Sequence, residues 1–179
     1  AHQNPELEKE MAEKRTDGMH VLWENDEFIL ARETDQLRAY TMVSMLASLA
    51  PSYGQETMFA FFERHQAAIR AESYGLLYEK AEDGVLAVPV AYLTWAFLSR
   101  ACGVIFRDRL RPLHHTEYNS GKQLWAVDLV APLGHGNETR MAFETIFANE
   151  ETYNATRLRD GKWRHEVLDN NVAKAAKKE

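Results

Sequence analysis

Asp128 is the first candidate for chemistry in this 179-residue chain, a carboxylate set inside the apolar run Leu124-Trp125-Ala126-Val127-Asp128-Leu129-Val130. A charge in such a run is either held by a nearby Arg or backbone donors, or it serves a site. The histidines offer less. His114 and His115 are adjacent in a polar stretch that reads as a loop. Neighbouring strand residues point to opposite faces, which makes them a poor metal pair, and no metal site is expected. His65 stands mid-helix among polar neighbours and is expected on a solvated face. Cys102 is the single cysteine. It excludes an internal disulfide and a Cys-based zinc site, and it reads as a small buried hydrophobe in a reducing compartment. No dinucleotide, phosphate-loop, zinc-protease or hydrolase-elbow signature occurs.

The elements that must position these residues follow from periodicity and punctuation. Residues 35–49 and 55–71 carry apolar positions at helical spacing, with Pro51 and Gly54 between them. Residues 19–31 fit a short hairpin or a helix. Residues 74–78 and 85–95 read as two strands around the turn signal Glu82-Asp83-Gly84, with Pro89 marking an irregularity or an edge. Helical character returns over 96–110. Residues 124–130 read as a buried strand, 138–147 as a helix, and 153–157 with 163–167 as a last hairpin about Asp160-Gly161. Trp95 and Trp125 are expected in the core. Helices first, then strands interleaved with helices, predict an α+β domain on a mainly antiparallel sheet.

Composition narrows the class. Asp plus Glu number 27 against 21 Lys plus Arg, a net charge of −6, and 45% of residues are hydrophobic. That balance supports one globular core and argues against a nucleic-acid wrapper, while a local basic patch could still meet an acidic carrier. No apolar stretch is long enough for a transmembrane segment, and the first residues lack the pattern of a secretory signal. Residues 1–38 are expected to be an extension, partly helical or mobile, residues 39–171 the main domain, and 172–179 a charged tail.

Two segments are more specific: Pro89-Val90-Ala91-Tyr92-Leu93-Thr94-Trp95-Ala96-Phe97-Leu98-Ser99, and Ser120-Gly121-Lys122-Gln123-Leu124-Trp125-Ala126-Val127-Asp128-Leu129-Val130-Ala131-Pro132-Leu133-Gly134. Both resemble the toxin-activating lysine acyltransferases that fatty-acylate RTX haemolysins, over about residues 43–170. The resemblance implies a GNAT-like acyltransferase fold, a cytoplasmic setting and a tendency to form a homodimer. It also implies a fatty acyl donor on acyl carrier protein (acyl-ACP), an internal lysine of a protein acceptor, and no bound cofactor. The family's work depends on a His near its N-terminus and on the Asp that here is Asp128. Arg157 matches a basic position that helps hold the donor.

The His does not carry over. Val43-Ser44-Met45-Leu46 aligns with the family's V-S-W-L, and continuing without a gap places the catalytic His on Tyr53. An imidazole with pKa near 6.5 accepts a proton at neutral pH, whereas a phenol with pKa near 10 does not unless strongly perturbed. Tyr53 could instead donate a hydrogen bond to a developing oxyanion, or simply fill the vacated space. His135, just beyond Ala131-Pro132-Leu133-Gly134, is a candidate substitute base or a loop residue. The leading expectation is therefore an acyl-ACP-dependent protein-lysine acyltransferase with Asp128 and Tyr53 at its centre. The alternatives are an inactive member that binds a lipid, a carrier or a protein, and different chemistry in the same pocket.

Overall fold

The computed structural model describes residues 18–50, 58–81, 88–109, 111–159 and 162–176. Seven strands form one sheet in chain order: β1 (Met19–Glu24), β2 (Phe28–Glu33), β3 (Tyr74–Glu79), β4 (Pro89–Leu98), β5 (Gln123–Val130), β6 (Thr152–Arg159) and β7 (Lys162–Asp169). All neighbours are antiparallel except β5 and β6, which run parallel and pair only at Trp125–Asn154 and Ala126–Ala155. The expected α+β class with a mainly antiparallel sheet is what the chain adopts.

The ambiguous segment 19–31 is a hairpin. Asn25 explains the choice, because its side-chain oxygen accepts from the amides of Glu27 (2.9 Å) and Phe28 (2.7 Å), closing a local turn that competes with helix. Helix α1 (Gln36–Ser48) starts where the Asp35 carboxylate accepts from the Leu37 and Arg38 amides. The boundary expected at residue 38 thus falls inside α1, and strands β1 and β2 of the expected extension belong to the sheet. Helix α2 (Met58–Arg70) follows. The expected helix over 96–110 begins later. Strand β4 runs on to Leu98, and Ser99 accepts from the Cys102 amide to cap α3 (Arg100–Arg107). Helix α4 (Gly136–Ile146) joins the parallel pair. The expected charged tail is partly helical, as α5 (Asn171–Ala176). There Asn170 is fully buried and its oxygen accepts from the Val172 and Ala173 amides, both at 3.0 Å. The turn residues Glu82-Asp83-Gly84 and Asp160-Gly161 lie outside the described residues.

Two layers cover the sheet. On one face α1 and α2 bury Val43, Leu46 and Ile69 against Ile29, Leu76, Tyr78 and Tyr92. Ala67 and Ala68 continue that face over Ala96, Leu98 and Trp125. On the opposite face α4 packs Ala142 and Phe143 against Leu30, Leu77, Leu93 and Leu124. Trp95 and Trp125 are both buried in this core, as expected.

The two sequence motifs meet physically. The Gly121 amide donates to the Phe97 carbonyl at 3.0 Å, and the Ser120 hydroxyl accepts from the Ser99 amide at 3.1 Å. A Cβ on Gly121 would lie 2.4–2.5 Å from the backbone of Leu98 and Ser99, so only glycine allows this approach. That contact sets where β5 begins against the end of β4.

Candidate functional site at a strand bulge

Register on β4 controls where the carboxylate points. Ala126 pairs with Trp95 but Asp128 pairs with Thr94, leaving Val127 as an extra residue in β5. Before this bulge Leu124 and Ala126 pack toward α4, while Trp125 and Val127 pack toward α2. Strict alternation would send Asp128 and Val130 to the α4 side. The added residue reverses the phase, and Val130 joins Tyr92 and Val43 on the α1–α2 face. The bulge takes the Asp128 amide out of the regular ladder, and that amide donates instead to the hydroxyl of buried Thr94 at 3.1 Å.

Asp128 stands where two cavities meet. One, about 190 Å³, is lined by Arg64, Arg109, Arg111, Phe106, Leu113 and Tyr118 with Asp128 and Val127. The other, about 280 Å³, opens where β5 and β6 diverge beyond their two paired residues. Its walls are mainly apolar: Leu93, Ala126, Leu129, Phe143, Tyr153 and Leu168, again with Val127 and Asp128. A half-buried carboxylate therefore connects a cationic chamber to a greasy one. Arg140 also borders the apolar cavity, and its charge is matched by Glu144 at 2.7 Å.

The cationic chamber is built by pairing. Arg111 meets Glu117 through two hydrogen bonds of 2.5 and 2.8 Å, which hold the Glu117 carboxyl down at about 2. Glu117 in turn accepts from the His114 amide at 2.7 Å and closes a one-turn 3-10 helix over His115–Glu117. His114 and His115, placed by this turn, have ring centroids 4.2 Å apart. Cys102 is half-buried, with its thiol 3.9 Å from Glu117.

His65 is the main correction to the sequence reading. It is 1% exposed, not solvated. Its polar neighbours Glu63, Arg64 and Gln66 belong to the outer part of α2, while His65 shares the inner stripe with Ala68 and Ile69, three and four residues on. The Tyr92 hydroxyl lies 3.0 Å from Nδ1 and 3.2 Å from Nε2, and the two rings meet edge to face. Burial drives the imidazole pKa down to about 4; the Asp128 charge pulls it up, and Arg64 pushes it down. His65 is thus neutral at physiological pH beside the candidate carboxylate. Tyr118, 3% exposed, is the other titratable neighbour: burial first, and then the Asp128 charge, push its phenol far above the ordinary range.

The remaining expected site residues are placed as follows. Tyr53 lies outside the described residues. Arg157 is on β6, one residue past Ala155-Thr156 of the apolar cavity, and its side chain lies outside the described residues. His135 occupies the N-cap position of α4, and its ring contacts Phe28 edge-on at 5.5 Å. His135 lines neither cavity at Asp128.

A model of the RTX toxin acyltransferase family matches residues 32–171. The chain belongs to that family. Its relatives include an RTX-III toxin-activating lysine-acyltransferase of Actinobacillus pleuropneumoniae, 24% identical over 75% of this chain and 74% of that one. A leukotoxin-activating lysine-acyltransferase of Mannheimia haemolytica is 40% identical over 38% of this chain and 37% of its own length. A lysine-acyltransferase of Vibrio cholerae is 25% identical over 54% of this chain and 60% of its own. The family match begins inside β2, so β1 precedes it, and it ends at the first residue of α5. Both cavities at Asp128 lie wholly inside the matched stretch. Among the described residues, no helix is long and apolar enough to cross a membrane.

Proposed function

We propose that this RTX toxin acyltransferase family member moves a fatty acyl group from acyl carrier protein to a lysine of a protein acceptor of the RTX toxin type. The observation that carries the reading is the position of Asp128 between a cationic chamber and an apolar one. The apolar cavity suits an acyl chain, whose transfer from water is favourable by roughly 0.8 kcal/mol per methylene. The arginine-lined mouth suits the phosphate of a phosphopantetheine arm and the acidic surface of its carrier. An arm entering past the arginines with its tail in the apolar cavity brings the thioester to Asp128. The carboxylate then attracts the acceptor lysine and, one ammonium proton having left to water, takes the second as the neutral nitrogen attacks. The divergence of β5 from β6 is the feature on which we read the fold as GNAT-like. The setting is the cytoplasm, where the charged carrier is available.

The test uses the full chain, acyl carrier protein loaded with a labelled acyl group, and an RTX-type acceptor, with intact mass as readout. A mass gain on the acceptor lysine is expected. Asp128→Asn is expected to slow transfer by about 10²-fold or more. Transfer at an unchanged rate in that variant rejects the assignment of Asp128, and no transfer by the wild type rejects the reading.

A further inference from the structure

We propose that Tyr118 is the oxyanion donor of this centre, its hydroxyl hydrogen-bonding the thioester carbonyl oxygen as that oxygen becomes negative. This rests on the acyl-transfer reading and adds a catalytic residue to it.

The placement of Tyr118 is set by backbone. Its carbonyl accepts from the Phe97 amide at 2.8 Å, Asn119 bridges to Phe97, and Ser120-Gly121 lock against Leu98 and Ser99. The ring is packed among Ala67, Ala68, Ala96, Leu98 and Trp125. Yet Tyr118 also lines the cationic cavity together with Asp128 and Arg64, and the charges of both act on its phenol. Among the described residues, no group takes a hydrogen bond from that hydroxyl. A phenylalanine would fill the same space, so packing does not call for the hydroxyl, which keeps some exposure on the cavity wall where a ligand can reach it. A donor fixed in advance, unable to ionise at working pH and close to an arginine, is what a developing oxyanion requires.

The reaction balances with Tyr118 keeping its proton. The lysine nitrogen bonds to the thioester carbon, and the carbonyl π pair moves onto oxygen, where Tyr118 O–H meets it. Collapse restores the carbonyl and breaks the carbon–sulfur bond, and sulfur leaves with the electron pair. Starting from the neutral amine, whose first proton has gone to water, the proton lost by nitrogen on bond formation passes through Asp128 to sulfur, giving an amide and a thiol.

The test compares wild type and Tyr118→Phe in the acyl-transfer assay, together with binding of a thioether analogue of the charged carrier that lacks the carbonyl. The expected result is a fall in kcat of about 10²–10³-fold, with KM and thioether affinity changed by less than about twofold. Incorporating 3-fluorotyrosine at position 118 keeps the donor and is expected to keep the rate within about fivefold. An unchanged kcat in Tyr118→Phe with an active wild type overturns this inference and leaves the acyl-transfer reading standing. A parallel loss of kcat and thioether binding also overturns it, because that is the signature of a packing role. Absence of transfer by the wild type overturns both.

Discussion

Burial of His65 ties the stability of this fold to pH, with a sign opposite to that of a histidine gaining an ion pair. The unfolded chain titrates this group near the ordinary value of 6.5, whereas the folded chain holds it down at about 4. Between those values the unfolded state binds a proton that the folded state refuses. The contribution is therefore intact above 6.5, declines as pH falls, and is fully lost below about 4. The complete loss is about 3 kcal/mol, of which roughly 2 kcal/mol is gone by about pH 5. Urea unfolding at about pH 7.5 and pH 5 measures this directly. His65→Leu cannot titrate at the site and shares every other group, so wild type is expected to lose about 2 kcal/mol more than the variant across that interval. Parallel losses in the two proteins refute the reasoning. Imidazole NMR in Asp128→Asn supplies a second check. Removing the carboxylate removes the charge that raises the His65 pKa, so the titration moves lower still, and an upward shift contradicts the geometry.

Gly121→Ala forces a methyl against the Leu98 and Ser99 backbone at 2.4–2.5 Å. A cost of about 2–3 kcal/mol, seen as a drop in Tm of roughly 5–10 °C by calorimetry, is expected. Thr94→Val leaves the Asp128 amide without its acceptor and is expected to cost about 1–3 kcal/mol and to slow acyl transfer, while Thr94→Ser restores both. Urea melts and the transfer assay on these two variants check that pair.

Much of the scaffold is legible in residue order. Helices α1 and α2 announce themselves by period, the last hairpin by its turn residues, and the motifs around Trp95 and Trp125 by their length. What escapes notice is governed by tertiary contact. His65 hides among Glu63, Arg64 and Gln66, although its spacing to Ala68 and Ile69 marks the inner stripe. The bulge at Val127 leaves no trace, because Leu124-Trp125-Ala126-Val127 is apolar on both faces and alternation has no polar side to betray a change of phase. Tyr118 belongs to neither motif nor any periodic run, and the bond from Phe97 to its carbonyl helps bring it beneath α2. The continuation of β4 past Trp95 is masked by an apolar segment that suits helix and strand equally, until Ser99 decides.

The single supernumerary residue in β5 gives that strand something like a reading frame. Exchanging Val127 for another side chain leaves the frame alone. Excising it would leave Ala126 opposite Trp95 and Asp128 opposite Thr94, a regular ladder with every downstream face kept, whereas forcing the strand flat with the residue still in place would turn the Asp128 carboxylate toward α4 and Val130 away from its companions. The stretch between Trp125 and Pro132 thus has one letter to spare, and an added letter, not the loss of that one, is what would garble the text that follows.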